Sequence, residues 1–557
     1  MLKARDFIVI ATLSTILFVF FLLFTPTMHT ANYDADSGKV TLKADSFNGS
    51  SSGMMNYPPR GGKINQIAVI GDADGDVTKT VTDTLQNMKI SFNIYDSFKD
   101  INHEETAVIT KREISGEETE ALKAWLENDK GVIFAEVPLG LTGEIRRLLG
   151  IVKHTPIFEA AGFTLYEGIM LKGLKHVGVH KFTSEGIELD SRCKIFATAY
   201  SIRLEERIQY IPIRAEYPYK TPMIWRVMHN GGEIYVINSP FMDKTEGSGL
   251  LAGILSLRYD DLIYPIVGTK TVGLMNFPYL PNDNMMINSR SSFGYTRDII
   301  WPGMVSVAKN LELSYTCYPN GDFYGGTNAN DNIQFMYDEL YRLNYSELGC
   351  EAEELRMFER NQGFLAEKFT NMEFNSLMNP GFEPKGHVSA VSRSDGFNGF
   401  SWVSNRAVNL PVTGTGVDLD VGSFANESYI TAFGYSFHAI DMEPIFINQE
   451  SANEYMQDIG KKLHDYYVNR NYMDSYSAKG AAEEVKNYLN LSTAVSYRHD
   501  GTDVVLSGHN RAVKYILRTE KTVDEMNSVG CEITEIYKGV YLVVADGGEF
   551  TVSYLPE

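Results

Sequence analysis

Cysteine is scarce: the 557 residues hold four, Cys193, Cys317, Cys350 and Cys531, and none forms a Cys-x-x-Cys pair. This excludes a disulfide-rich module, a Cys-based zinc knuckle and a thioredoxin-like motif. Positive charge is also in short supply, with 50 Lys and Arg against 71 Asp and Glu and a formal net charge of −21. Such a surface repels phosphate backbones and argues against a nucleic-acid partner. No internal repeat is visible, and no apolar run after residue 24 is long enough to span a bilayer. What is present excludes wholesale disorder: 44% of residues are hydrophobic, 12% aromatic and 22% charged. The length exceeds what one core organises and predicts two to four domains.

The amino terminus bears on the compartment. Phe7 to Phe24 is a stretch of 18 residues without a charge. As a helix it just spans a hydrocarbon layer of roughly 30 Å. Lys3 and Arg5 precede it, whereas Asp34, Asp36 and Asp45 follow. The positive-inside rule then places a short cytoplasmic tip before a single membrane-spanning anchor and the main body outside the cell. A cleaved signal peptide is the alternative, but Thr25-Pro26-Thr27-Met28-His29-Thr30-Ala31 offers a poor small-x-small cleavage site. Few cysteines in an exported chain fit a bacterium that does not rely on disulfides.

The pattern predicts an α/β chain in five parts: tip and anchor at 1–30, a polar Gly/Ser/Pro-rich linker at 31–62, and three folded regions. In 63–262, Ile67–Ile70, Ile90–Tyr95, Ala107–Thr110 and Val132–Ala135 read as strands. A helix near Val77–Met88 and another with Ala121, Leu122, Trp125 and Leu126 on its apolar face alternate with them. Ser115 and Glu118 form a capping-box pair ahead of the second helix. Short joins argue for a mostly parallel, doubly wound sheet, with Gly231–Asn238 as its closing strand. In 263–478, Val272–Met275 runs into a Pro-rich loop. Helices follow at Trp301–Leu311, Asn332–Leu343 and Asn453–Asn469, with strand–loop units at Met372–Asn379, Asn398–Val403 and Tyr429–His438. This reads as an irregular βα-barrel. In 479–557 strands at Thr493–Tyr497, Val504–Leu506, Tyr515–Leu517, Tyr537–Val544 and Phe550–Leu555 are separated by turns and predict a small β-sandwich.

Gly71-Asp72-Ala73-Asp74-Gly75-Asp76 alternates carboxylates as a calcium loop does. Val77 stands where an EF-hand wants Gly and no Glu closes the loop, so a solvated acidic turn is the better reading. The 63–262 region resembles glutamine-amidotransferase-like or flavodoxin-like modules attached to carbohydrate-active enzymes. An amidotransferase needs a Cys nucleophile on a strand–helix elbow. Cys193 lies in Ser191-Arg192-Cys193-Lys194-Ile195 without such an elbow, which leaves a scaffold or partner-binding face.

The 263–478 region carries a second resemblance. Leu274-Met275-Asn276-Phe277-Pro278-Tyr279-Leu280-Pro281 is similar to the opening of NodB-like polysaccharide deacetylases, whose exopolysaccharide branch ends a strand in Asp-Asp-Phe-Pro. Tyr345–Leu355 falls where that family has Glu-Leu-Gly-x-His-x-x-x-His. Tyr435-Ser436-Phe437-His438-Ala439-Ile440-Asp441 resembles its late segment with a second catalytic His. The whole chain resembles a membrane-anchored family of uncharacterised proteins found with Pel-type exopolysaccharide synthesis genes. The resemblance implies a metal site of Asp, His and His. Here Met275-Asn276 replaces the Asp pair, and Glu351 and Leu355 replace the two histidines. Met and Leu are not zinc ligands, and neutral Asn is no base. The expectation is therefore no cofactor, the usual zinc site being lost, with no metal ligands and no confident catalytic residue.

Glu351, His438, Asp283 and Asp441 remain as candidates for an unusual site. Glu351 and His438 could ligate a different metal, or Asp283 and Glu351 could serve as a glycosidase-like acid and base. Tyr318, Phe323 and Tyr324, in the aromatic and glycine-rich loop Cys317–Gly326, join Asn276 as candidates for substrate binding by stacking and hydrogen bonding. The favoured reading is an anchored, extracellular protein of exopolysaccharide synthesis or export that binds or guides a glycan, with an amino-sugar polymer and membrane-embedded synthase components as partners. The alternatives are an active deacetylase or glycoside hydrolase, and a scaffold that contacts only proteins.

Overall fold

The computed structural model describes residues 66–556 except 102–103, 167, 172–176, 202–219, 230, 279–285, 288, 320–334, 336, 341, 344, 370–371, 394–398, 417–418 and 448–451. The apolar segment Phe7–Phe24 and the linker lie outside the described residues. Among those described, no helix is long and apolar enough to cross a membrane.

The first sheet starts as its apolar runs dictate. Ile67–Ile70 (β1), Phe92–Tyr95 (β2), Thr106–Ile109 (β3) and Gly131–Phe134 (β4) are parallel neighbours. Asp76–Asn87 (α1) and Gly116–Leu126 (α2) cross between them. Both bonds of the capping box form: Glu118 N–H donates to Ser115 Oγ, and Ser115 N–H donates to the Glu118 carboxylate. Because strand side chains alternate, Ile67 and Val69 enter the main core while Ala68 and Ile70 enter a second cluster on the other face.

The expected parallel topology holds for only part of this sheet. Ile151–Leu165 (β5), Val177–Leu189 (β6), Cys193–Ser201 (β7) and Lys220–His229 (β8) extend it with antiparallel pairs, and Gly232–Ile237 (β9) joins β8 to β4. The nine-stranded order is β2-β1-β3-β4-β9-β8-β7-β5-β6. Register shifts in the β5–β6 and β7–β8 pairs break the two-residue alternation, which is why this half was not legible.

Thr245–Arg258 (α3) is buried nearly all round, as a helix does when flanked by packed layers. Thr84 Oγ1 of α1 donates to its Ser248 Oγ at 2.9 Å. Asp261–Ile266 (β10) and Thr269–Met275 (β11) follow. Met286–Ile287 (β12) and Arg290–Ser291 (β13) form a small hairpin, and Trp301–Leu311 (α4) is the helix expected there. Then come Tyr315–Tyr318 (β14), Ser346–Leu348 (β15), Cys350–Glu351 (β16), Leu355–Lys368 (α5), Ser376–Met378 (β17), Ala390–Ser392 (β18), Val408–Asn409 (β19) and Gly414–Thr415 (β20). Leu419–Phe433 (α6), Tyr435–Asp441 (β21), Ala452–Tyr467 (α7) and Asp474–Ser475 (β22) complete this region.

Apart from β10 and the antiparallel β12–β13 hairpin, its strands are parallel and make two paths, β15-β14-β11-β21-β20 with β22 beside β11, and β16-β17-β18-β19. Only Gly349 separates β15 from β16. Two expected strands differ. Tyr429–Phe433 is the end of α6; Gly434 stops that helix with φ of +57°, and the strand begins at Tyr435. Asn398–Val403 has no strand among its described residues, only a lone bridge from Trp402 to Val408.

Ala478–Asn490 (α8) leads into Ser492–Tyr497 (β23), Gly501–Ser507 (β24), Val513–Thr519 (β25), Val523–Val529 (β26), Glu532–Tyr537 (β27), Val540–Ala545 (β28) and Glu549–Tyr554 (β29). With β10 they form two antiparallel four-stranded sheets, β10-β25-β28-β27 and β23-β24-β29-β26. The expected single strand Tyr537–Val544 is a hairpin instead, turned at Gly539 with φ of +70°.

Candidate functional site

In parallel α/β sheets the carboxyl ends of the strands are the usual place for chemistry, because every loop leaving the sheet there converges on one edge. At the edge of the β11–β21 pair, Met275 stands beside Asp441 in register, and Asn276 follows. Asn276 has φ of +53°, a left-handed conformation that Asn tolerates better than most residues, and this turns the chain out of the strand. Its Nδ2 donates to Asp441 Oδ1 at 2.8 Å. The same oxygen accepts the Glu443 N–H at 2.9 Å, and Tyr455 Oη of α7 donates to the Asp441 carbonyl at 2.7 Å.

The second path repeats the unit. Met378 stands beside Glu351 in register, and Asn379 follows with φ of +51°. Asn379 Nδ2 donates to Glu351 Oε1 at 3.4 Å. Both strands end in Leu-Met-Asn, Leu274-Met275-Asn276 and Leu377-Met378-Asn379. The edge thus carries two carboxylates, each held by the amide of an asparagine one step past the neighbouring strand. Burial is the main cause that pushes the Glu351 carboxyl above the usual range; Asn379 opposes it, and the charges of Asp441 and Glu353 add to it. Glu351 Oε2 is buried and makes no hydrogen bond.

Of the candidates read from sequence, Asn276, Glu351 and Asp441 come together at this edge. His438 does not. It lies three residues before Asp441 on β21, so the two side chains leave opposite faces of the strand. His438 is buried with its ring 6.5 Å from Tyr466 of α7, and its Nε2 is 2.8 Å from the Gly416 carbonyl. Burial lowers its pKa, and the carbonyl contact opposes that. A neutral ring donating from Nε2 to Gly416 is a packing residue between sheet and helix, which corrects its candidacy as a catalytic group or ligand beside Glu351. Tyr318 is corrected too: it sits on β14 fully buried, against Gly273 and Gly349, and offers no face for stacking on a sugar. Asp283, Phe323 and Tyr324 lie outside the described residues. Asn379 was missed, although the repeated Leu-Met-Asn triplet and the following Pro380-Gly381 turn signal were there to find it.

The zinc ion that the deacetylase resemblance implies does not fit these donors. The described side chains at the edge are two carboxylates and two amides, and each amide nitrogen already faces a carboxylate. Zinc favours imidazole and thiolate alongside carboxylate. Among the described residues, no three His, Cys, Asp or Glu side chains are grouped to share a metal ion. The acidic turn after β1 is closed on itself, with Asp74 N–H donating to Asp72 Oδ1 at 3.1 Å. At the carboxyl ends of β1 and β3, Thr78 and Thr110 hydroxyls meet at 2.6 Å. A Cβ on Gly71 would lie 2.0 Å from Thr110 Oγ1, so that crevice is filled.

The fold is shared with the crystal structure of the carbohydrate deacetylase Agd3, with a TM-score of 0.51, 10% identity, and coverage of 89% of this chain and 100% of that one. A β-galactosidase from Bacillus circulans sp. alkalophilus aligns over 36% of this chain and 33% of its own, at 12% identity and a TM-score of 0.26. An α-L-fucosidase from Paenibacillus thiaminolyticus aligns over 35% and 34%, at 14% identity and a TM-score of 0.27. No curated protein sequence matches the chain. Residues 80–355 match the profile of a family described as uncharacterised protein conserved in bacteria (DUF2194).

Proposed function

We propose that this is a membrane-anchored, extracellular protein of exopolysaccharide biosynthesis or export. Its deacetylase-like region holds a glycan at the carboxyl edge of the parallel strands without metal-dependent deacetylation. The observation that carries this reading is the pair of carboxylate–asparagine units, Asp441 with Asn276 and Glu351 with Asn379. Planar amides and carboxylates fixed by one another present a row of donors and acceptors suited to sugar hydroxyls. The likeness to Agd3 supports a carbohydrate partner. The pairing of β11, β14, β15, β21 and β20, taken with β16 to β19, supports an irregular βα-barrel. The two C-terminal antiparallel sheets support a sandwich. The Phe7–Phe24 segment supports the anchor, and through it proximity to a membrane-embedded synthase.

A hydrolase is the second reading, and one observation favours it. A carboxyl raised by burial beside a second carboxylate is the arrangement of a general acid and its partner. One experiment separates the two. Purified protein is incubated with N-acetylated hexosamine oligomers with zinc, with cobalt and without added metal, while acetate, new reducing ends and glycan affinity are measured. Binding without acetate or reducing ends supports the first reading. Metal-dependent acetate release lost in Glu351→Ala defeats it, and metal-independent reducing ends lost in Glu351→Gln establish the hydrolase. Absence of any binding removes the glycan from the account and leaves a protein scaffold.

A further inference from the structure

The opposite end of the same strands holds a concave feature. Asp474 pairs with Thr269, the first residue of β11, whereas Asn276 follows its last. At about 3.3 Å per residue this places the two ends roughly 20 Å apart. Here a cavity of about 220 Å³ is lined by Ile266, Val513, Tyr476, Tyr488 and two ion pairs. Lys514 Nζ is 2.7 Å from Asp474 Oδ2, and Arg511 Nη1 is 2.5 Å from Glu484 Oε1. Asp474 and Arg511 are exposed, so the cavity opens to solvent at this rim.

The walls are held in place before any ligand arrives. Tyr488 donates its hydroxyl to the Asn87 carbonyl at the end of α1, and its ring meets Phe400 edge-on at 5.8 Å. The stem of Lys514 lies across Gly268, where a Cβ would come within 2.5 Å of Lys514 Cδ. Gly268 also has φ of +67°, so the backbone favours glycine there, and a side chain would push the Lys514 stem aside. Tyr476 is half-buried, and its hydroxyl reaches Asp474 Oδ2 at 3.4 Å.

The chemistry selects a ligand class. Each charge is matched by an opposite one within its own pair, so the rim favours neither an anion nor a cation. It presents many fixed hydrogen-bonding groups beside aliphatic and phenolic walls. The volume falls below the roughly 300–1,000 Å³ that drug-sized ligands need, so it takes one ring and no more. A pyranose has an apolar CH face for a tyrosine and a rim of hydroxyls for carboxylate, amine and guanidinium. We propose that this cavity is a subsite for a single neutral pyranose unit, remote from the carboxylate edge. The inference rests on the glycan reading above and adds a second attachment point.

The test is calorimetric titration of the full chain with methyl N-acetylglucosaminide and with N-acetylhexosamine oligomers, in wild type, Tyr476→Ala, Arg511→Ala and Asp441→Asn. Tyr476→Ala and Arg511→Ala are expected to weaken binding of the monosaccharide about tenfold, a loss typical of an anchoring contact. Tyr476→Phe is expected to retain most of the affinity, because stacking needs the ring. Oligomer binding that depends on Asp441 but not on Tyr476 overturns the subsite and keeps the glycan reading. Binding of glucosamine in preference to the neutral glycoside overturns the assignment of a neutral ligand. No binding of any sugar overturns both proposals.

Discussion

Glu351 is half-buried and His438 fully buried, and desolvation shifts the two groups in opposite directions. The Glu351 carboxyl is raised by burial. It therefore holds its proton in the folded state at pH values where the unfolded chain has lost it. By linkage its contribution to stability is present below the unfolded value of about 4.3 and is lost as pH rises through the folded value. Glu351→Gln keeps the shape and removes the titration. Melting temperatures of wild type and variant should diverge in favour of the variant as pH rises from about 4 to about 7; a constant gap would show that the carboxyl is not desolvated. His438 is lowered by burial, so it favours the fold above its unfolded value and weakens it as pH falls. His438→Ala removes the Gly416 contact and opens a hole between sheet and helix. It is expected to cost about 2–4 kcal/mol in urea denaturation. Loss of function at His438 with unchanged stability would restore a chemical role.

At the scale of elements, α3 is the piece that joins layers. It touches α1 through Ser248 and α6 through Gly249. A Cβ on Gly249 would stand 2.4 Å from Ser428 Cα, which is backbone and cannot swing away. Gly249→Ala gains about 1 kcal/mol of intrinsic helix preference. Against this, the helices must separate, which typically costs about 1–3 kcal/mol. The variant should unfold at lower urea concentration, and a midpoint above wild type would mean the α3–α6 contact is loose. The strand ends show a different economy. Leu-Met-Asn is used twice, each time with a left-handed Asn that carries the chain off the sheet and holds a carboxylate on the neighbouring strand.

At the scale of the whole molecule, charge decides which partners approach. With a formal net charge of −21 and a sequence isoelectric point near 5.1, the surface repels polyanions. Partly deacetylated hexosamine polymers should bind more tightly than alginate-like polyanions at about 0.05 M salt, with the difference shrinking toward about 0.5 M as the Debye length contracts. A salt-insensitive preference would locate selectivity in short-range contacts. This prediction concerns long polymers over the whole surface, whereas the cavity at Tyr476 and Lys514 concerns one ring.

Local pattern determined much of this protein. Apolar runs placed β1, β3, β4 and β11. Ser115 and Glu118 announced their capping box, and the helical period marked α4 and α7 to within a residue or two. The loss of the Asp pair at Met275-Asn276 was legible; the parity that sets His438 and Asp441 on opposite faces was not, because the strand was expected to end at His438 and in fact runs to Asp441. Tertiary structure alone decided the antiparallel half of the first sheet, because its bulges erase alternation. It alone joined β10 to β25 across about 250 residues of chain. It alone brought Glu351, Asn379, Asn276 and Asp441 to one edge, and it buried Tyr318 rather than leaving it on a loop. The division has a physical cause. Periodicity and capping are properties of neighbours along the chain. A site at the ends of parallel strands depends on which strands lie side by side, and burial of the whole core decides that.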